Sequence, residues 1–209
     1  MTDFIKCECG ENVYSLPEAQ IEGGLYECMG CHKFPAIDLD GKLTDIKNLL
    51  NIKKYGNQIH EWITIDDNLK MVKVETSFEE KVLQCIASNR DVSGFMGFYK
   101  PLKGVLLANE NEFVGCIVWF RGIHARLNWI FIRKEYRRKG YGIKFLKSWV
   151  EQIADKINDK YEIESPNKAS AGLLFKLGHL KMEGDRIVEV KCIILESPGW
   201  SPDMMFYDF

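Results

Sequence analysis

Residues 127–142 read LNWIFIRKEYRRKGYG, an apolar strand that runs through a basic turn into two glycines and the start of a helix pattern. A glycine-bearing loop at a helix start aims backbone N–H groups at an anion, and the helix dipole adds to that attraction. Gly140 and Gly142 let the backbone come close to phosphate oxygens without a Cβ in the way, while Arg137, Arg138 and Lys139 bring counter-charge. Between Arg126 and Lys147 eight cations stand against one carboxylate, Glu135, for a net charge of +7. The loop reads as a cradle for a diphosphate.

The flanks place that loop in an alternating α/β pattern. Upstream, residues 104–108 and 113–120 are strand-like runs separated by the turn composition Asn109-Glu110-Asn111, and 125–132 makes a third strand. Downstream, Ile143, Leu146, Trp149, Val150, Ile153 and Ile157 recur at helical spacing. A strand over 161–165 then leads through Pro166-Asn167 into a helix over 169–177, which Gly178 stops.

With these residues in place, Arg137, Gly140 and Gly142 resemble the coenzyme A loop of the GNAT superfamily of N-acetyltransferases, Gln/Arg-x-x-Gly-x-Gly/Ala between a strand and a helix. The run Leu173-Leu174-Phe175-Lys176-Leu177-Gly178-His179 is similar to the second signature, Leu-Tyr-x-Lys-x-Gly-Phe, with Asn167 at its leading asparagine. The resemblance spans 71–196. It implies an α/β fold with a mixed, mostly antiparallel sheet, a splayed parallel strand pair and flanking helices. It further implies transfer of an acetyl group from acetyl-coenzyme A to a primary amine, on a protein or a small molecule, within a ternary complex. Backbone groups near Ile130, Phe131 and Ile132 would bind the pantetheine arm, the amides of Arg138, Lys139, Gly140, Tyr141 and Gly142 the diphosphate, and Asn167 would reach the pantetheine side.

Two positions depart from that family. Leu174 stands where a tyrosine often protonates the leaving thiolate, and Arg126 where some relatives carry a base glutamate; a cation cannot deprotonate an ammonium. Glu164, Glu162, His124 and Tyr141 remain as acid–base candidates. Strand alternation puts Glu162 and Glu164 on one face, and Glu164 ranks first. The departures also leave open a non-catalytic reading, an acyl-coenzyme A sensor or adaptor that docks a partner.

Four of the seven cysteines carry a second signal. Cys7-x-Cys9-Gly10 and Cys28-x-x-Cys31 form two close pairs, the arrangement in which two tight knuckles present four thiolates to one tetrahedral ion. The pattern resembles a zinc ribbon over residues 1–42. Zinc is the first reading, with iron and a redox dithiol as the others. Such a module cannot form a core alone, so the metal would contribute to folding. The ribbon would gate substrate, dock a protein partner or stabilise the chain. Nine carboxylates against three lysines between Met1 and Asp45 leave it at −6, which repels nucleic acid. Cys85, Cys116 and Cys192 sit in apolar patterns and read as inert core.

Residues 43–68 read as a structured connector and 69–209 as the acetyltransferase domain. Thr44 is expected to cap a helix with Ile46, Leu49, Leu50 and Tyr55 on one side, ending at Gly56. A strand over 59–65 turns at Asp66-Asp67-Asn68 into another over 69–74. Ser77-x-x-Glu80 is expected to form a capping box for a helix with Phe78, Val82, Leu83 and Ile86 as its core face. Phe95, Phe98 and Tyr99 fall in the stretch that shapes the acceptor site in the resembled family. No apolar run is long enough to span a bilayer and Met1–Lys6 does not read as a secretion signal, so a soluble, cytoplasmic protein is expected.

Overall fold

The computed structural model describes residues 4–6, 12–15, 36–37, 43–44, 49–87, 102–199, 201 and 205. Cys7, Cys9, Cys28 and Cys31, and the aromatic residues Phe95, Phe98 and Tyr99, lie outside them. Two compact units divide the chain, Met1–Tyr99 with Gly104–Cys116, and Lys100–Lys103 with Ile117–Phe209.

In the first unit, β1 (Phe4–Lys6) pairs antiparallel with β2 (Asn12–Ser15), and β3 (Ala36–Ile37) with β4 (Leu43–Thr44). The expected helix from Thr44 to Gly56 is not continuous. Asn51 is extended, with φ −81° and ψ 110°, and bridges Glu112. Ile52 N–H donates to Asn111 O and Phe113 N–H to Leu50 O, each at 2.9 Å. Strand pairing satisfies the backbone of 111–113, and that requirement overrides helical spacing. Only α1 (Ile52–Tyr55) and a 3₁₀ turn at Gly56–Gln58 follow.

Next, β5 (Ile63–Asp66) and β6 (Leu69–Lys73) form a hairpin whose turn is fixed by Asn68 N–H on Asp66 Oδ1 at 3.0 Å. β6 pairs antiparallel with β7 (Lys103–Ala108). Helix α2 (Ser77–Ala87) buries Phe78, Val82, Leu83 and Ile86 as its pattern predicts. Its capping box lies one residue earlier than expected, on Thr76 and Glu79. Thr76 Oγ1 accepts the Glu79 N–H at 3.3 Å, and Glu79 Oε2 accepts the N–H groups of Thr76 and Glu75 at 2.8 Å. Glu79 Oε1 also accepts the His60 N–H at 3.2 Å, so a fully buried carboxylate collects three backbone donors. Gly104 is fixed by proximity to α2: a Cβ there would come within 2.4 Å of Leu83 Cδ1.

Strand β8 (Phe113–Arg121) belongs to this unit through Cys116 and to the second from Ile117. The second unit continues with β9 (Ala125–Ile132), α3 (Tyr141–Trp149), a π turn (Val150–Ala154), β10 (Tyr161–Glu164) and α4 (Lys168–Lys176). A hairpin follows, β11 (Leu180–Glu183) with β12 (Arg186–Glu189), and then β13 (Cys192–Leu195). β10 runs parallel to both β9 and β13, with Tyr161 opposite Ala125 on one side and Cys192 on the other. Parallel neighbours need long crossovers, and the helices supply them. The parallel set thus has three strands where a pair was expected, and the hairpin was not anticipated. Trp119, Trp149, Tyr161 and His179 stack edge to face at 6.1, 5.5 and 5.7 Å through the core.

Helix α4 ends as Gly178 predicts: at φ +70° Gly178 N–H bonds Phe175 O, and His179 N–H bonds Leu174 O. Burial pushes the thiols of Cys85, Cys116 and Cys192 up to about 12, as expected of inert core cysteines. Antiparallel pairing in the first unit and parallel pairing in the second, with flanking helices, make an α/β fold of mixed sheet character. Among the described residues no helix is long and apolar enough to cross a membrane.

Candidate active site

Pairing between β9 and β10 stops early. Tyr161, Glu162 and Ile163 face Ala125, Arg126 and Leu127, and β9 then runs on to Ile132 with no β10 residue opposite. A cavity of about 720 Å³ opens there, walled by residues 127–132 of β9, the end of β10 and helix α4. The splay inferred from the sequence is present.

Alternation sets which backbone groups look into the gap. Tyr161 N–H reaches Lys191 O and Ser165 N–H reaches Leu195 O, so odd-numbered residues of β10 bond toward β13 and Glu162 toward β9. With Glu162 opposite Arg126, Ala125 and Leu127 answer it. Continued without a bulge, that alternation aims the N–H and C=O groups of Phe131 at the gap and those of Ile130 and Ile132 away from it. All three residues line the cavity.

The loop after β9 is built for an anion. Arg138 and Gly140 are left-handed, at φ +62° and +80°, and α3 begins at Tyr141 with no side chain capping it. The first-turn N–H groups of a helix have no intrahelical acceptor, which makes that end a phosphate seat. A Cβ on Gly140 would meet nothing within 4 Å, so its positive φ is what calls for glycine. Arg137, Arg138, Gly140 and Gly142 line the cavity; Lys139 and Tyr141 do not. The Tyr141 ring stacks on Tyr136 at 6.1 Å, and the Lys139 ammonium lies over the Tyr136 ring at 5.2 Å. Arg137 is partly committed as well, donating from Nε to Ile132 O at 2.8 Å with its guanidinium over Phe131.

Of the four acid–base candidates, only Glu164 lines the cavity, exposed at its edge. Glu162 accepts from Arg126 Nε at 2.9 Å, and His124 Nδ1 is 3.1 Å from Lys160 O. Leu174 is fully buried, and on helix α4 Ser170 and Leu173 reach the cavity instead. Asn167 lines the cavity too, but its Oδ1 caps α4, accepting from Ser170 N–H at 3.0 Å and from Ser170 Oγ at 3.1 Å. Its amide N–H₂ is the group left to turn toward a ligand. Among the described residues no three His, Cys, Asp or Glu side chains gather as metal ligands.

The model of the acetyltransferase (GNAT) family matches residues 59–179. The chain belongs to the GNAT family. As a GNAT protein it is an acyl-coenzyme A-dependent N-acetyltransferase. Among curated sequences no significant match is found. Among the solved structures similar to it are two acetyltransferases. One is an aminoglycoside acetyltransferase from an uncultured soil metagenomic sample in complex with trehalose, at 14% identity and TM-score 0.42, covering 60% of this chain and 96% of that one. The other is the xEco2 acetyltransferase domain bound to a K105-CoA conjugate, at 11% identity and TM-score 0.45, covering 56% and 92%.

Two features of this GNAT chain escaped sequence reading. Ser165, at the end of β10, is left-handed with φ +45°, which no composition signal marks. The other is a pair formed by the buried Tyr161 and the half-buried His179: Tyr161 Oη lies 2.9 Å from His179 Nδ1. Its signal was available, since His179 stands where the second GNAT signature has phenylalanine. Burial raises the Tyr161 phenol well above its usual range, so it stays a donor, and burial followed by the Lys191 charge lowers the His179 imidazole.

A lowered imidazole makes stability acid-sensitive. The unfolded chain takes up the His179 proton near pH 6.5 and the folded chain only at lower pH. Stability from this source is complete above 6.5 and falls as pH drops toward the folded value. Thermal melts between about pH 7.5 and about pH 5.5 should therefore show a decline that His179→Phe flattens. Equal declines in both proteins would assign the acid sensitivity elsewhere.

Proposed function

We propose that this chain moves an acetyl group from acetyl-coenzyme A to a primary amine within a ternary complex. The observation that carries the reading is the early parting of β9 and β10, with an uncapped helix start and a left-handed glycine at the end of the same cleft. A pantetheine arm lying in the gap would meet backbone groups of β9, and the diphosphate would sit on the amides of the 138–142 loop. Much of the rate would come from alignment, which supplies several kcal/mol in such reactions.

The chemistry balances with one carboxylate. Glu164, directly or through water, takes a proton from the substrate ammonium; the neutral nitrogen attacks the thioester carbonyl. A backbone N–H of β9 stabilises the oxyanion. Collapse breaks the C–S bond, the electron pair leaves on sulfur, and one of the two protons on the attacking nitrogen passes to base or water, leaving the amide N–H. Lysine side chains, polyamines and antibiotic amines all fit this chemistry.

Within this reading residues 1–42 form a separate module with one zinc held by Cys7, Cys9, Cys28 and Cys31. The donor set suits zinc, and β1 and β2 flank the stretch 7–11 that contains the first pair. The metal would supply folding free energy and no step of the transfer. A protein partner docking on the acidic ribbon fits the same charge pattern.

Gly140→Asp should abolish acetyl-coenzyme A binding without unfolding the protein, because it sets a carboxylate against the diphosphate. Calorimetry giving wild-type affinity in that variant removes the loop from the role.

Glu164→Gln should slow thiol release from acetyl-coenzyme A by about a hundredfold at neutral pH while affinity stays near wild type. Assayed over a lysine peptide, a polyamine and an aminoglycoside, an unchanged pH–rate profile would leave Glu164 a solvated carboxylate.

Protein purified without chelator should contain one zinc per chain, lost in Cys28→Ser. Elemental analysis that finds no metal in the wild type sinks the assignment.

A further inference from the structure

We propose that Ser165 is a positioning residue of the cleft, a corner that holds Glu164 and the start of α4 in place before ligand binds; the inference rests on the acetyl-coenzyme A reading above. Ser165 lines the cavity directly after β10, at φ +45°, where any residue but glycine is strained. Three bonds to one neighbouring segment keep it there. Its N–H donates to Leu195 O at 2.9 Å, its Oγ accepts the Ser197 N–H at 3.1 Å, and its Oγ shares a hydrogen bond with Ser197 Oγ. All three come from β13 and the residues just beyond it.

The position of this residue gives those bonds their consequence. Before it, β10 carries Glu164 on the cavity wall; after it, Pro166 leads to Asn167, which caps the helix bearing Ser170 and Leu173, a second part of the lining. One residue therefore joins the two parts. Glycine would adopt its backbone conformation without strain, yet the chain places serine there, and the hydroxyl is what anchors it to Ser197. Strain held by local bonds at a cleft edge leaves less to be ordered when ligand arrives.

The test separates position from stability in the full-length protein. Ser165→Gly and Ser165→Ala both delete the hydroxyl, but only glycine relieves the backbone, so the glycine variant should melt at the higher temperature. Each should nonetheless weaken acetyl-coenzyme A binding by about fivefold in calorimetry, and raise its KM accordingly. Ser197→Ala, at a residue that does not line the cavity, should weaken binding in the same direction. Affinity that follows melting temperature across the three variants, or that stays at the wild-type value in all of them, overturns the inference. A wild-type protein that does not bind acetyl-coenzyme A overturns the functional reading itself, and the positioning role with it.

Discussion

Everything in the second unit turns on a row of backbone groups that β10 does not pair. A strand carries its N–H and C=O groups whether or not a neighbour answers, and leaving them buried without partners is costly. β9 is answered by β10 only as far as Leu127, and from there to Ile132 it borders an open cavity. An extended ligand with amides of its own can take the missing strand's place, joining backbone hydrogen bonds to apolar contact with Leu127, Ile163 and Leu173. The wedge that keeps the gap open is local: Ser165 turns the chain out of the sheet and Asn167 starts a helix where a longer strand would have closed it.

The basic loop divides its work in a way that net charge conceals. Eight cations raise the local potential and favour any anion at long range. At close range several are already engaged. Arg137 bonds the end of β9, Arg133 pairs with Glu135 and lies over Tyr136, and the Lys139 ammonium also lies over the Tyr136 ring. At the cavity stand the partly committed Arg137, the left-handed Arg138 and the helix start at Gly140 and Gly142. The helix start acts through fixed geometry, so the diphosphate binding proposed above would depend on the loop's backbone shape more than on its count of positive charges.

Features governed by short-range rules were legible in the sequence. The strands around Asn109-Glu110-Asn111, the glycine stop at Gly178, the core face of α2 and the glycine at 140 ahead of a helix start all follow from spacing and residue type. What went astray depended on contacts distant in the chain. Leu49 to Tyr55 has the periodicity of one helix, but the turn at 111–113 claims the backbone of Leu50 and Ile52. Thr76 and Ser77 are both acceptable caps by type; Glu79 decides because its carboxylate also serves His60 N–H. Of the loop residues, Lys139 and Tyr141 pack on Tyr136 and do not line the cavity, a contact that no local pattern names.

The buried Leu174 raises the question of which proton the reaction can do without. An alkylammonium of pKa about 10.4 must lose a proton before it can attack, which at pH 7 costs about 5 kcal/mol. The thiolate, by contrast, can leave with the C–S electron pair and take its proton from solvent afterwards. Attack cannot begin without the first proton loss, so a chain that keeps a carboxylate at the cleft and gives up the acid retains the group needed earlier. Glu164 meets that requirement by its place at the end of β10, and Glu162 does not, because Arg126 holds it in an ion pair. The arginine at the position where some GNAT relatives carry a base is then no defect. It neutralises the neighbouring carboxylate on the same face, so that in the mechanism proposed above the ammonium proton would go to Glu164.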